Sequence, residues 1–119
     1  KEEAKRWLDQ AENDLAMAAL LLDRDHFGGA SFHAQQAAEK GLKAVLLETQ
    51  GRFPRIHDLK ALGAEGKAPP ELLGRLRALS AAYVAYRYPD VEQPVTGTEA
   101  RGLVGLAEEV VAWARRRLS

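Results

Sequence analysis

The sequence predicts an all-α fold, and two features of its 119 residues lead to that prediction. Alanine occurs 21 times and leucine 17 times, whereas valine, isoleucine and threonine together occur 11 times. Alanine and leucine favour helices, and β-branched residues favour strands. Apolar residues also recur at steps of three and four, the spacing that places them on one face of a helix. We therefore expect an up-and-down helical bundle of four long helices and one short helix, forming a single domain over residues 1–119.

A glycine turn is predicted between the first two long helices. The first helix should run from Glu2 to Leu22 with a narrow apolar stripe, made of Ala4, Leu8, Ala11, Leu15, Ala18 and Leu22. Gly28 and Gly29 should then supply the turn. The second helix should run from about Ala30 to Thr49 and carry a face of small residues that allows close approach of another helix. That face consists of Ala34, Ala37, Ala38, Gly41, Ala44 and Val45.

Proline marks the limits of the next two helices. Phe53-Pro54 forbids continuation of the second helix. Asp58 is then a candidate N-cap for a short helix through Leu62. Pro69-Pro70 suits the start of a fourth helix, because proline is tolerated in a first turn. This fourth helix should continue to Arg87.

The last helix has a start signal and an end signal. Thr96 and Glu99 have the spacing of a capping box, with Thr98 as a competing cap. The helix ends in three consecutive arginines, Arg115 to Arg117. Cations there stabilise the helix through its macrodipole, and contact with nucleic acid is the alternative interpretation.

The composition excludes several classes of function. With no cysteine, the chain has no thiol nucleophile, thiolate metal site or disulfide. Its 17 basic and 17 acidic side chains balance, which argues against strong non-specific binding to phosphate backbones. Its three histidines lack the H-x-x-x-H spacing of a metal site, and no phosphate loop, nucleophile elbow or dinucleotide-binding motif occurs. We therefore predict no metal and no cofactor.

The chain also lacks the sequence features of a membrane or secreted protein. Its longest uncharged apolar run, Ala16 to Leu22, is too short to span a bilayer. No basic and then apolar signal segment is present at its start. We therefore expect a cytoplasmic protein that does not enter a membrane.

One face of the predicted second helix carries polar side chains. At 100° per residue they fall within an arc of about 80°, apart from the small-residue face. They are His33, Gln36, Lys40 and Lys43. One interpretation is a polar exterior or dimer seam, on which Glu39 and Lys43 would form an exposed ion pair. The other is a binding surface, where the lysines contact a phosphate and His33 and Gln36 hydrogen-bond a base or sugar.

A second polar cluster ends the predicted fourth helix, in the run Tyr86-Arg87-Tyr88-Pro89-Asp90. Arg87 could stabilise the helix C-terminus through the macrodipole, or pair with Asp90 across the turn. Alternatively, Arg87, Tyr88 and Asp90 form the rim of a pocket that stacks on an anionic ligand and binds it. The residues alone leave both interpretations open.

His57 is the third candidate, because it precedes Asp58 directly after a proline loop. A histidine beside an aspartate suggests a general base and its orienting group, but adjacent side chains rarely point together. The stronger interpretation is an Asp58 N-cap, with His57 stabilising the loop.

Four segments, in this order, resemble the HEPN domain family, whose name stands for higher eukaryotes and prokaryotes nucleotide-binding. They are the spacing Trp7…Ala11…Asp14-Leu15…Ala18, the run HAQQAAEKGLKA at 33–44, His57-Asp58-Leu59, and Arg87-Tyr88-Pro89-Asp90. The resemblance spans essentially the whole chain. It implies an up-and-down helical bundle that is often a homodimer. It also implies a nucleotidyltransferase protein partner, commonly in a toxin–antitoxin-type pair. From the residues themselves, only Met17 and Leu21, beside the first apolar stripe, support a dimer.

The resemblance also implies a ribonuclease motif that this chain does not complete. Many HEPN proteins are metal-independent ribonucleases with Arg-x(4–6)-His in the C-terminal half. Here the positions that would hold the histidine after Arg87 are Glu92, Gln93 and Pro94. Arg52 and His57 have the required spacing, but they lie in the loop after the second helix.

The sequence therefore predicts a HEPN-like module that binds a nucleotide or RNA, a nucleotidyltransferase partner, or both, without the usual ribonuclease motif. The expected ligand-binding residues are Arg87, Tyr88, Asp90, His33, Gln36, Lys40 and Lys43. One alternative is a metal-independent endoribonuclease in which Arg87 acts with a displaced histidine, for which His57 is a candidate. The other is a purely structural dimer subunit.

Overall fold

The computed structural model describes residues 2–87 and 95–119, and the side chains of residues 2–81 and 95–119. Within these ranges the chain forms helices joined by turns and contains no strand. The helices are α1 (Glu2–Asp23), α2 (Phe27–Gln50), α3 (Leu59–Glu65), α4 (Pro70–Leu73), α5 (Leu76–Arg87) and α6 (Gly97–Leu118). The prediction of an all-α helical bundle is confirmed.

The central helix of the bundle is α2, which packs against α1, α3, α5 and α6. Fourteen of its 24 residues are buried, so it is covered on most of its circumference. The predicted small-residue face lies inside, with Ala34, Ala37, Ala38 and Ala44 fully buried. A Cβ added to Gly41 would lie 3.6 Å from the Ala114 Cβ, which shows how closely α6 approaches α2. The core is completed by leucines from several helices, among them Leu42, Leu46, Leu62, Leu76 and Leu79.

The turn before α2 differs from the predicted one. Gly28 and Gly29 belong to the first turn of α2, and the chain reverses at Asp25, whose φ is 61°. The backbone N–H of His26 donates to the Leu21 carbonyl at 2.9 Å. A Cβ on Gly29 would lie 3.2 Å from the Leu21 Cδ1, so the glycine makes room for Leu21 to pack inward. The spacing of apolar residues could not reveal this early start of α2, because its first turn contains two glycines, which usually form turns between helices.

The predicted fourth helix is divided into α4 and α5. Between them, at Gly74 and Arg75, the backbone N–H of Arg75 donates to the Leu72 carbonyl at 3.1 Å, which is a tighter i→i−3 bond. Glycine is a poor helix former, and this weakens the regular ladder here. The guanidinium of Arg75 forms a double hydrogen bond with Glu109 of α6, at 2.9 Å for each N–O pair. The break therefore directs Arg75 to α6.

The predicted caps are confirmed. The Asp58 carboxylate accepts from the Ala61 backbone N–H at 3.2 Å and starts α3. Thr96 and Glu99 form the complete capping box of α6, so Thr96, not Thr98, is the N-cap. Among the described residues, no helix is both long enough and apolar enough to cross a membrane.

Two of the three final arginines join α6 to its neighbours. Arg115 forms an ion pair with Glu12 of α1. Arg117 donates to the Gly66 carbonyl at 3.0 Å, and its guanidinium lies 5.4 Å from the centre of the Trp113 ring. These cations lie in the last turn of the helix, where they also complement its macrodipole.

Candidate functional site

A buried carboxylate on α1 organises the first half of the polar site. Asp14 is a charged residue, but it is only 6% exposed because it lies on the face of α1 that packs against α2. Its Oδ1 lies 2.9 Å from the His33 Nδ1, and its Oδ2 accepts from the Lys40 Nζ at 2.7 Å. A buried carboxylate is tolerated only when it is paired and hydrogen-bonded. Asp14 therefore holds two α2 side chains in place.

A second buried carboxylate, Glu39, organises the other half. Its Oε1 accepts from the Gln35 Nε2 at 3.0 Å. Its Oε2 accepts from the Lys43 Nζ at 2.8 Å and lies 2.8 Å from the His57 Nδ1. Gln36 extends the network, because its Nε2 donates to the Gln35 Oε1 at 2.8 Å. The network thus continues from α2 to the loop between α2 and α3.

Hydrogen bonding sets the charge state of Glu39. Burial on its own raises the pKa of this carboxyl, because the charged form loses its water. The hydrogen bonds from Lys43, His57 and Gln35, with the Lys43 charge, outweigh burial and bring the pKa of Glu39 below its ordinary value. Glu39 is therefore a carboxylate at neutral pH.

Lys43 connects this carboxylate to two aromatic rings. Its ammonium lies 5.0 Å from the centre of the Phe53 ring and 5.8 Å from that of Trp7. The two rings meet edge to face, with centroids 5.0 Å apart. Cation–π attraction of this kind is strongest where water is excluded, and Lys43 is 6% exposed. The rings and the ion pair together attach the start of the α2–α3 loop to α1 and α2.

His57 is the most exposed member of the network, with 70% of its side chain accessible. One ring nitrogen is held by Glu39, and this fixes the orientation of an imidazole that is otherwise in water. Arg52, the arginine of the Arg-x4-His spacing, and Arg55 are exposed on the same loop. Arg52 also lines an open groove, together with Gln50, Phe53, Pro54 and Glu65.

The family follows from the match of a domain model to almost the whole chain. The model of the HEPN domain matches residues 4–117. The chain belongs to the HEPN family. This confirms the resemblance carried by the four sequence segments.

Two solved structures are similar to this HEPN chain over nearly its full length. TT1696 from Thermus thermophilus has a TM-score of 0.89 and 30% sequence identity, and the match covers 99% of this chain and 100% of that one. ST0689, described as an archaeal HEPN homologue, has a TM-score of 0.81 and 28% identity, with 98% of each chain covered.

A further relative is a protein of Methanocaldococcus jannaschii named "Putative toxin MJ1304". It is 30% identical to this HEPN chain over 97 residues. The match covers 73% of this chain and 64% of the relative, so this chain spans less than two thirds of that protein's length.

Within this HEPN domain, the polar stripe predicted on α2 is only partly at the surface. The side chains of His33 and Lys40 are 23% and 25% exposed, and both are bound to Asp14. Lys43 is buried, so the expectation of an exposed Glu39–Lys43 ion pair is wrong. Its burial has a physical reason, because Trp7 and Phe53 cover the pair. Ligand binding by these side chains and by Gln36 stays a prediction.

The second predicted cluster lies mostly outside the described residues. Arg87 is the last residue of α5, and its side chain is not among those described. Tyr88 and Asp90 fall outside the described residues altogether. Their proposed roles at a pocket rim, and that of Arg87, therefore remain predictions.

Asp14, Gln35 and Glu39 are the network residues that the sequence interpretation did not single out as site candidates. A signal for Asp14 was present, because it lies three residues after Ala11 and four before Ala18 on the buried stripe of α1. Gln35 and Glu39 are buried because several other helices and the following loop pack around α2. Helical periodicity does not specify which faces of α2 those elements cover. Among the described residues, no group of three or more histidine, aspartate or glutamate side chains could hold a metal ion.

Proposed function

We propose that this HEPN domain is a toxin-like module that binds a nucleotide or RNA and acts with a nucleotidyltransferase protein partner. The observation that carries the proposal is the network of Asp14 and Glu39, which fixes hydrogen-bonding side chains that still reach the surface. His33, Lys40 and His57 are 23%, 25% and 70% exposed. Side chains that are ordered before binding lose less entropy when they bind a ligand.

Two further facts support the proposal. The name of the M. jannaschii relative supports a toxin-like role. The missing histidine after Arg87 favours binding over the ribonuclease chemistry of the Arg-x(4–6)-His motif. Such a module would interfere with its target by occupying RNA, and the nucleotidyltransferase would control that activity.

Ligand binding is tested by titrating the protein with ATP and with a labelled single-stranded RNA. We expect saturable binding of at least one of them, weakened by Arg87→Ala and by Gln36→Ala. Arg77→Ala is the matched control, because Arg77 is an exposed arginine on the same helix as Arg87. Absence of binding to both probes would remove the nucleotide part of the proposal.

The partner is tested separately, by co-expressing the chain with a nucleotidyltransferase from the same organism. We expect the two proteins to elute together, and co-expression to relieve any growth inhibition that the HEPN chain causes alone. Independent elution and unrelieved inhibition would contradict the partner assignment without affecting the ligand result.

The contact between Glu39 and His57 favours a second candidate function, metal-independent endoribonuclease activity. A carboxylate on Nδ1 orients an imidazole for general acid–base catalysis. His57 would take the proton of a ribose 2′-hydroxyl as the oxygen attacks phosphorus, and Arg87 would stabilise the phosphorane. The P–O5′ bond then breaks and the leaving 5′-oxygen takes up a proton from water, which leaves a 2′,3′-cyclic phosphate and a 5′-hydroxyl, and His57 returns its proton to the solvent. Cleavage in the presence of a chelator, lost in His57→Ala but kept in His26→Ala, would establish this candidate over simple binding.

A further inference from the structure

The loop between α2 and α3, residues 51–58, is exposed but firmly attached at both of its ends. Near its start, Phe53 packs on Trp7 and Lys43. Near its end, His57 contacts Glu39, Asp58 caps α3, and Leu59 follows as a fully buried residue. A loop held in this way can present side chains in fixed positions without further ordering.

The side chains that this loop presents make it locally basic. Residues 51–58 contain Arg52 and Arg55 and one acidic residue, Asp58, so the loop carries a net charge of +1 with His57 neutral. Lys60 adds a third cation in the first turn of α3. The whole chain has a net charge of zero. All three cations are exposed. Planar guanidinium groups bind phosphate oxygens through two parallel hydrogen bonds.

The contacts of Glu39 also determine what His57 offers to a ligand. The Glu39 Oε2 accepts from both Lys43 and His57. Because Lys43 is a cation, it already compensates the charge of the Glu39 carboxylate. A neutral imidazole beside this oxygen must donate Nδ1–H to it, which leaves Nε2 as a hydrogen-bond acceptor. An exposed acceptor among cations is suited to a ligand that carries both phosphate groups and a hydroxyl group.

We propose that the α2–α3 loop is a binding surface for single-stranded RNA, with Arg52 and Arg55 on phosphates and His57 Nε2 accepting from a ribose 2′-hydroxyl. The 2′-hydroxyl is the group by which a protein distinguishes RNA from DNA. An acidic protein partner fits less well, because its carboxylates would satisfy the arginines and leave Nε2 without a donor. The proposal rests on the proposed function, since it names the surface at which that function's RNA would bind.

The phosphate contacts are tested with a fluorescent single-stranded RNA of about 12 nucleotides, within the range that small binding domains cover. The double variant Arg52→Gln/Arg55→Gln should bind it on the order of tenfold more weakly, because two phosphate contacts are lost. The dependence of log affinity on log salt should become shallower by about 1.4, at about 0.7 per phosphate. Arg24→Gln/Arg101→Gln is the matched control, since both arginines are exposed elsewhere in the chain.

The sugar contact is tested with the DNA oligonucleotide of the same sequence. Wild-type protein should prefer RNA, and His57→Leu should lose that preference, whereas His26→Leu, at another exposed histidine, should keep it. Thermal melting of each variant establishes that it is folded, and the arginine variants test the loop even if His57→Leu unfolds.

The results separate this proposal from the function on which it rests. RNA binding that the loop variants leave unchanged would overturn the loop assignment and leave the proposed function standing. Failure of the wild-type protein to bind the RNA would overturn the loop assignment and the RNA part of the function together. Weakened RNA binding in the loop variants only, with lost sugar preference in His57→Leu, is the result that we expect.

Discussion

The carboxylate of Glu39 has lost most of its contact with water and is nevertheless ionised. Gln35, Lys43 and His57 replace the lost water with hydrogen bonds, and Lys43 supplies the compensating charge. Removing one member of a buried ion pair costs more than removing both, because the remaining charge has no partner. This asymmetry makes the pair testable by single and double substitution.

Lys43→Met should lower the free energy of unfolding by about 3 kcal/mol, because it leaves the Glu39 charge buried without its ammonium partner. The double variant Glu39→Leu/Lys43→Met should recover most of that loss, since neither charge then remains. Urea unfolding measures both. Lys5→Met, at an exposed lysine of α1, should change the stability by less than about 0.5 kcal/mol. A double variant less stable than Lys43→Met would contradict this account of the pair.

The lowered pKa of Glu39 predicts a stability that depends on pH in the acid range. Folded Glu39 holds its proton less tightly than Glu39 in the unfolded chain, where its pKa has the ordinary value of 4.5. The ionised carboxylate therefore stabilises the fold fully above that pH, and the contribution is lost as pH falls through the lower folded-state pKa. The stability difference between wild type and Glu39→Gln should be constant from pH 7 to about 5 and shrink below about 4. Urea unfolding at several pH values measures it, and a difference that widens towards acid pH would contradict the prediction.

Residue-level prediction from the sequence succeeded where a local pattern determines the outcome. Asp58 and Thr96 cap helices through contacts three residues away, and both were recognisable. The burial of Lys43 was not recognisable, because it depends on Trp7 from α1 and Phe53 from the next loop. Long-range packing of this kind leaves no local pattern.

At the scale of elements, α2 contributes both to the core and to the polar site. Its small residues admit α6 on one side, and its polar side chains meet α1 and the α2–α3 loop on another. The sequence did not predict where α2 begins, at Phe27, or that α4 and α5 are separate helices. At the start of α2, Gly28 and Gly29 are part of a helical turn, and helix packing outweighs the turn preference that the sequence suggests. Between α4 and α5, Gly74 instead interrupts the helix that the sequence predicts.

The start of α6 depends on the capping box at Thr96. Thr96→Ala should lower the free energy of unfolding by about 1 kcal/mol, because the Glu99 backbone N–H loses its acceptor. Thr98→Ala is the matched control, since Thr98 was the competing cap and is exposed on the first turn of α6; its effect should stay below about 0.5 kcal/mol. Thermal melting compares the two. Equal effects of the two substitutions would contradict the assignment of the cap.

At the scale of the whole molecule, this HEPN chain is electrically neutral but unevenly charged. The network of Asp14 and Glu39 pairs each carboxylate with a lysine, so its ionised groups balance internally. The exposed α2–α3 loop instead carries two arginines and one aspartate. The overall balance predicted only that non-specific RNA binding would be weak. It could not reveal a local basic surface, because that requires knowing which charged side chains lie together at the surface.

We propose that this HEPN domain binds RNA without cleaving it. The most direct test incubates the purified protein with labelled single-stranded RNA in a chelator, and analyses the same sample on native and denaturing gels. We expect a shifted band on the native gel and intact RNA on the denaturing gel. RNA shortened to fragments with cyclic-phosphate ends would contradict the claim and establish the ribonuclease candidate, and unshifted RNA would contradict RNA binding itself.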